Sequence, residues 1–256
     1  MRIIAGPCQH ESLEQSLEIA TECQRICDLY DIEYYFKASY DKANRTSMSG
    51  KRGLGISETL PHFQKIKAAG FKLLTDVHTV GQISRCHNLV DVLQIPAFLC
   101  RQTDLIVEAC KSDCIINIKK GQFLAPWDVK GILSKTEGAK EVWITERGTS
   151  FGYNTLVTDF TGIQYMRDNF SVPVVFDVTH SVQKPGGQGD SSGGNRDYVP
   201  TLANAAAGMG VDNFFLEVHP DPDNAPSDGP NMLRLEDFAQ TVHRLYHINQ
   251  TVKGFQ

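Results

Sequence analysis

Apolar positions along the chain gather into short dense runs, separated by longer stretches with a wider apolar spacing. The runs are "RIIAG" (2–6), "EYYFKA" (33–38), "KLLTDV" (72–77), "DVLQIP" (91–96), "IINIKK" (115–120), "VWITER" (142–147), "VVFDVT" (174–179) and "FFLEVH" (214–219). Their brevity and their β-branched and aromatic content read as buried strands. The stretches between them carry helix signals. Ser12 and Gln15 stand in capping-box positions, and Leu13, Leu17, Ala20 and Ile26 then recur near helical spacing. Cys23 and Cys27 lie four apart on or beside that face and read as core filler. Ser57 is placed to cap the next helix, Gly70 to end it, and Pro126 to open another.

Strand–helix alternation of this kind means parallel β-α-β units. Eight of them predict an α/β fold, a closed (β/α)₈ barrel forming one domain over residues 1–256. A doubly wound open sheet is the weaker alternative. It usually has fewer strands, and "GPCQHES" after the first run is not its G-x-G-x-x-G fingerprint.

A barrel of this type places its chemistry at the C-terminal strand ends. Those ends hold Cys8; Lys37 with Lys42, Asn44 and Arg45; Asp76 and His78; Gln94; Lys119 and Lys120; Glu146 and Arg147; Asp177 and His180; Glu217 and His219. Six cations near one mouth (Lys37, Lys42, Arg45, Lys119, Lys120 and Arg147) suit phosphate or carboxylate groups. Cys8, His180, Glu217 and Asp228 are of the kinds that divalent transition metals accept. They are scattered along the chain without a metal-spacing signature, so by residue type alone a buried Cys8 and a hydrogen-bonded His180 read more simply as structural. The glycine-dense "KPGGQGDSSGGNRD" (184–197) reads as a loop able to fold over a bound substrate.

Composition narrows the partners. The chain carries 25 Lys and Arg against 30 Asp and Glu, a net charge of −5, which argues against nucleic acid. Its seven cysteines include no C-x-x-C pair, so neither a disulfide framework nor a zinc finger is expected. No apolar run is long enough for a membrane span and no signal peptide precedes the first strand, so a cytoplasmic protein with no membrane partner is expected.

"FKASYDKANRTS" (36–47) resembles the signature of the 3-deoxy-D-manno-octulosonate 8-phosphate synthases. "AGPCQHES", "TDVH", "IPAFLCRQTDL", "IKKGQFLAPWD", "TERGTSFGYN", "FDVTHSVQKPGG" and "LEVHPDPDNAPSDGPNML" resemble that family in the same order, over essentially the whole chain. The sister 3-deoxy-arabino-heptulosonate 7-phosphate synthases share the Gly-Pro-Cys start but carry "KPRTSP" where this chain has "KANRTS". The resemblance implies the barrel, usually as a homotetramer. It implies condensation of phosphoenolpyruvate with arabinose 5-phosphate and water, giving the eight-carbon phosphorylated keto acid of lipopolysaccharide biosynthesis and inorganic phosphate. Heptulosonate synthesis from erythrose 4-phosphate and a non-catalytic sugar-phosphate-binding barrel are the competing readings.

The family divides by metal use. Metal-independent members carry asparagine where this chain has Cys8, so the resemblance is to the metal-dependent class. It implies Cys8, His180, Glu217 and Asp228 as ligands of a divalent ion, with Fe(II), Mn(II) and zinc all open. It implies that Lys37, Lys42, Lys119 and Arg147 hold phosphoenolpyruvate, with Gln94 in the same pocket. Asn44, Arg45 and Thr46 are implied to meet arabinose 5-phosphate, with Phe98 in the substrate site and Arg101 arriving from a neighbouring subunit. Asp76 and Asp197 complete the implied catalytic set with Lys37, Lys42, Asn44, Lys119 and His180. Two departures stand out: Thr46, where serine is common and the hydroxyl is kept, and His10, where many members are aliphatic. A packing role is expected for His10.

Overall fold

A computed structural model describes residues 1–45, 47–48, 50–187 and 192–255. Eight parallel strands form the barrel: β1 (Arg2–Gly6), β2 (Glu33–Lys37), β3 (Leu73–Asp76), β4 (Val92–Ile95), β5 (Ile115–Lys119), β6 (Glu141–Glu146), β7 (Val174–Asp177) and β8 (Asn213–His219), and the two residues Leu233–Arg234 add a short parallel strand beside the last of them. Each pairs with the next, and β8 pairs back onto β1 with Gly6 opposite Glu217, which closes the barrel. Helices α1 (Leu13–Asp28), α2 (Ile56–Ala68), α3 (Val80–Cys86), α4 (Thr103–Cys110), α5 (Val129–Leu133) and α6 (Phe160–Asn169) follow the first six strands. A short turn α7 (Val178–Ser181) and α8 (Val199–Gly208) follow β7, and α9 (Leu235–Lys253) follows β8. The expected (β/α)₈ architecture is therefore present.

Strand periodicity builds the interior. One residue per strand forms an apolar floor across the barrel: Ile4, Tyr35, Leu74, Val92, Ile115, Trp143, Val175 and Phe215. Side chains alternate faces along a strand, so the residue two further on points inward as well. Those positions are Gly6, Lys37, Asp76, Gln94, Asn117, Thr145, Asp177 and Glu217, all buried and none of them a large hydrophobe. The opposite phase, including Ile3, Leu73, Leu93, Ile116, Ile144, Phe176 and Leu216, packs outward in the main core with the helices. The barrel is thus filled with apolar side chains below and polar ones above.

Several local readings change. The run predicted over 174–179 stops as a strand at Asp177, because its carboxylate caps α7 by accepting from the His180 N–H at 2.9 Å. Ser12 caps α1 by accepting from the Gln15 N–H at 3.2 Å, but the Gln15 side chain contacts His219 instead of completing the box. The full box is at Thr79 and Gln82. Ser57 does not cap α2; the cap lies two residues earlier, at Gly55 with φ +80°, and Ser57 accepts from Arg85. Gly70, at φ +94°, directly follows the C-cap Ala69, and Pro126 opens a 3₁₀ turn that leads into α5. In the 184–197 loop, Gln183–Lys184 pairs antiparallel with Gly193–Gly194. The centre of that loop, on which the lid reading turns, lies outside the described residues.

Gly6 has a purely steric reason. A Cβ there would stand 2.1 Å from the Lys37 carbonyl oxygen on the neighbouring strand. Gly6→Ala should therefore push β1 and β2 apart and cost about 1–3 kcal/mol. The thermal midpoint measures this; an unchanged midpoint would mean that the two strands tolerate the methyl.

Candidate active site

The C-terminal strand ends surround a cavity of about 380 Å³. Lys37, Lys42, Lys119, Arg147, Asp76 and Gln94 line it. So do Asn44 and Arg45 from the β2–α2 loop, Phe98 from the loop after β4, His180 from α7, and Asp228 from the loop after β8. Thr46 lies outside the described residues. Two implied residues are not brought to the cavity. Asp197 is exposed in the turn Arg196–Tyr198, and Arg101 is exposed beyond the turn Ala97–Leu99. Lys120 also departs from the cationic cluster. It is one residue out of phase with Lys119, so it is buried behind the strand, donating to the Leu124 carbonyl at 2.9 Å and lying 3.3 Å from Glu146.

Charges at the cavity base are paired. Lys37 Nζ donates to Glu217 Oε1 and to the Cys8 carbonyl, each at 2.8 Å. Lys119 pairs with Asp177, and its Nζ sits 3.3 Å from the centre of the Phe215 ring. Lys42 donates to Ser39 Oγ at 2.8 Å, and that hydroxyl donates to Asp76. A neutral chain runs beside them: Thr145 Oγ1 donates to Asn117 Oδ1 at 2.6 Å, and Asn117 Nδ2 donates to Gln94 Oε1 at 3.0 Å.

These pairings tune the groups. Burial raises the Glu217 carboxyl, but Lys37, His180 and Lys42 outweigh it and hold it down at about 2. Burial likewise opposes ionisation of Asp76, which Lys42, His78 and Lys37 keep far below the ordinary range. Burial pulls Lys42 down, and nearby Cys8, Asp76, Glu217 and Asp228 more than reverse it. Lys119 goes the other way: burial lowers it to about 8 despite Asp177.

Beside the cations lies a group of possible metal ligands. The donor atoms of Cys8, Glu217 and Asp228 all lie within 4.8 Å of one another. Cys8 Sγ is 3.1 Å from Asp228 Oδ2, and His180 Nε2 is 3.8 Å from Glu217 Oε1 and 3.9 Å from Asp228 Oδ2. Donors around a tetrahedral ion at about 2.0–2.3 Å stand about 3.3–3.8 Å apart, so these distances lie near that spacing, with His180 outside the group whose donors are all within 4.8 Å of one another. Glu217 Oε2 is buried without a hydrogen-bond partner among the described residues, as a ligand oxygen would be. His180 Nδ1 lies 2.8 Å from Asp177 Oδ2, off the line of a straight hydrogen bond, and this sets Nε2 toward the group. Asp228 reaches Cys8 from a left-handed backbone, φ +53°, a region in which Asp is enriched among residues with a side chain. Burial, Glu217 and Asp228 together push the Cys8 thiol far up, against a lowering by Lys42 and Lys37.

The sequence reading assigned no role to Gln183, Gln122 or Ser227, which also line the cavity. Ser227 Oγ donates to Cys8 Sγ at 2.9 Å. None of them lies at the end of a predicted strand, so strand ends alone could not find them. His10 is fully buried, with Nδ1 2.8 Å from Ser16 Oγ and Nε2 2.9 Å from His62 Nδ1, the packing position expected.

Residues 1–253 match the sequence model of the DAHP synthetase I family. The chain belongs to that family. Curated relatives called 2-dehydro-3-deoxyphosphooctonate aldolase match it nearly end to end. The protein of Nitrobacter hamburgensis is 52% identical over 99% of this chain and 90% of its own length. That of Chelativorans sp. is 52% identical over 99% and 93%, and that of Bartonella bacilliformis 51% over 99% and 91%. The octulosonate resemblance carried by "KANRTS" therefore holds, and the heptulosonate alternative is not favoured.

The lowered Lys119 yields a sign. A protonated Lys119 attracts an anion and a neutral one does not. Binding of an anion carrying phosphate or carboxylate, with phosphoenolpyruvate as the probe, should weaken as pH rises from about 7 to about 9, through the Lys119 value of about 8. Lys119→Arg should flatten that limb, since arginine keeps its charge. Equilibrium dialysis across this range checks it; an equal pH dependence in both proteins would remove Lys119 from the anion site.

Proposed function

We propose that this chain condenses phosphoenolpyruvate with D-arabinose 5-phosphate and water to give 3-deoxy-D-manno-octulosonate 8-phosphate and inorganic phosphate. One observation carries the reading: Lys37, Lys42, Lys119 and Arg147 line one cavity with His180 and Asp228, and Asp228 reaches Cys8 of the candidate ligand group at 3.1 Å. The relatives' shared name supports the eight-carbon product.

Phosphoenolpyruvate brings a carboxylate and a phosphate to one small site, and their mutual repulsion must be offset. Lys42, Lys119 and Arg147 supply that positive field from fixed positions, with little reorganisation during the reaction. Arg147 is suited to an oxygen of either group, because its buried NH1 has no partner among the described residues. Arg45 and Asn44, from the β2–α2 loop at the rim, suit the sugar phosphate, and Phe98 lines the same cavity. C3 of phosphoenolpyruvate attacks the open-chain aldehyde carbon, and the aldehyde oxygen takes a proton. Water adds at C2 and gives up a proton. The resulting hemiketal phosphate breaks its C–O bond and releases inorganic phosphate.

The reading includes a divalent ion, Fe(II), Mn(II) or zinc, held by Cys8, His180, Glu217 and Asp228. Such an ion supplies Lewis acidity toward an oxygen of aldehyde or water. It also includes a homotetramer in the cytoplasm. Exposed Phe98, Phe123 and Trp127 support assembly, and Arg101, exposed outside its own cavity, suits a residue that serves a neighbour. Among the described residues no helix is long and apolar enough to cross a membrane.

Phosphate release with each aldose phosphate tests the activity. Arabinose 5-phosphate should support it and erythrose 4-phosphate should support little; comparable rates with the four-carbon sugar would overturn the assignment.

Metal removal tests the ligand set. A strong chelator should abolish activity, and a divalent transition metal should restore it. Cys8→Ser should bind the ion more weakly, because a hydroxyl replaces a soft thiolate. Cys8→Asn should bind little metal yet keep a measurable activity that chelators do not touch. Full activity of the native protein after verified metal removal would return Cys8 to a structural role.

A further inference from the structure

We propose that Gln183 is a positioning residue that locks the anion-holding arginine and the metal-facing aspartate into one register, so that a single side chain sets the affinity of both sites. This rests on the reading above, in which Arg147 meets phosphoenolpyruvate and Asp228 a divalent ion.

Gln183 is buried between the two groups. Arg147 NH2 donates to its Oε1 at 2.7 Å, and its Nε2 donates to Asp228 Oδ1 at 2.9 Å. A carboxamide offers an acceptor and a donor on one rigid terminus, which apolar, hydroxyl and carboxylate side chains of this length do not. Its orientation is dictated by its neighbours. The flipped amide would set N–H against guanidinium and oxygen against carboxylate, and both contacts would repel. Each bond has one ionised partner, which makes it stronger than a neutral one.

What the bridge leaves free matters as much as what it holds. With NH2 engaged, Arg147 keeps NH1 buried at the cavity with no partner among the described residues. With Oδ1 engaged, Asp228 turns Oδ2 toward Cys8 Sγ, 3.1 Å away. The bridge therefore selects which nitrogen meets the anion and which oxygen faces the ligand group.

The backbone holds the glutamine in place as well. Gln183 pairs with Gly194 in the short antiparallel ribbon that closes the 184–197 loop. A Cβ at Gly194 would fall 1.4 Å from Asn231 Oδ1, so the ribbon is seated directly against the segment that follows Asp228.

The test replaces Gln183 with leucine, which keeps the bulk and deletes both bonds. Co²⁺ affinity is read under argon from the thiolate charge-transfer band of Cys8. Phosphoenolpyruvate affinity is read by equilibrium dialysis of metal-free protein in chelator. Each should fall about five- to fiftyfold, while KM for arabinose 5-phosphate, whose site is at the Asn44–Arg45 rim, stays within about twofold. A merely structural role would lower the thermal midpoint without this split. Gln183→Met is measured in the same way if the leucine variant does not fold. A native Co²⁺ band with either affinity unchanged in the variant overturns the inference alone. A native protein that gives no Co²⁺–thiolate band overturns the metal reading and the inference with it.

Discussion

The apolar floor is the constraint on which the site depends. Ile4, Tyr35, Leu74, Val92, Ile115, Trp143, Val175 and Phe215 close the barrel from below, one from each strand. Ionised groups immediately above them are shielded from water on that side. A buried charge is costly unless it is paired and hydrogen-bonded. Lys37 therefore pairs with Glu217, and Lys119 with Asp177, across the strands that carry them. Removing one member of such a pair leaves the other buried and uncompensated, typically at about 3–5 kcal/mol. Substitutions here act on folding and on chemistry together, so a lost activity at Lys37 or Asp177 does not by itself identify a catalytic group.

The same pairing decides which atoms stay available. Asp177 gives Oδ2 to Lys119 and the His180 ring, while Oδ1 caps α7, so both its oxygens serve the fold. Glu217 gives Oε1 to Lys37, and its Oε2 has no partner among the described residues. Arg147 is divided in the same way, with NH2 on Gln183 and NH1 without a partner among the described residues. In these two groups structural and functional contacts share one side chain.

Much of this was legible in the sequence because strand periodicity is rigid. A run such as "IINIKK" places Ile115, Asn117 and Lys119 on one face, and the outcome follows from counting by two. Ignoring that parity put Lys120 in the cationic cluster, whereas it belongs to the layer between strand and helix. The ends of elements were harder to read. Asp177 ends β7 because its side chain caps α7, and a run of apolar residues does not show where a cap will win. Gln183 and Ser227 were invisible for another reason. They come from loops whose course is set by distant contacts, so nothing local marks them as neighbours of Arg147, Asp228 or Cys8. The scattered ligand group became credible from sequence only through family resemblance, since Cys8 and Asp228 are 220 positions apart.

Charge along the cavity gives these parts a direction. In its lining Lys37, Lys42, Lys119 and Arg147 meet Asp76, Asp177 and Asp228, and buried Glu217, outside the lining, pairs with Lys37. Arg45 and Lys51 at the rim have no such matching acids in the lining. The rim therefore attracts phosphorylated anions, while the base by itself is close to neutral. Phosphoenolpyruvate needs a positive base, because its carboxylate and phosphate must be held close together. A divalent cation among Cys8, Glu217 and Asp228 would supply that surplus and would also stabilise the thiolate that burial and the two carboxylates now oppose. Such an ion would add to a field the chain already provides in part. Lys37 and Lys119 are committed to Glu217 and Asp177, whereas Lys42 rests on the Ser39 hydroxyl and Arg147 has NH1 without a partner among the described residues, so these two are the cations the barrel itself offers an anion.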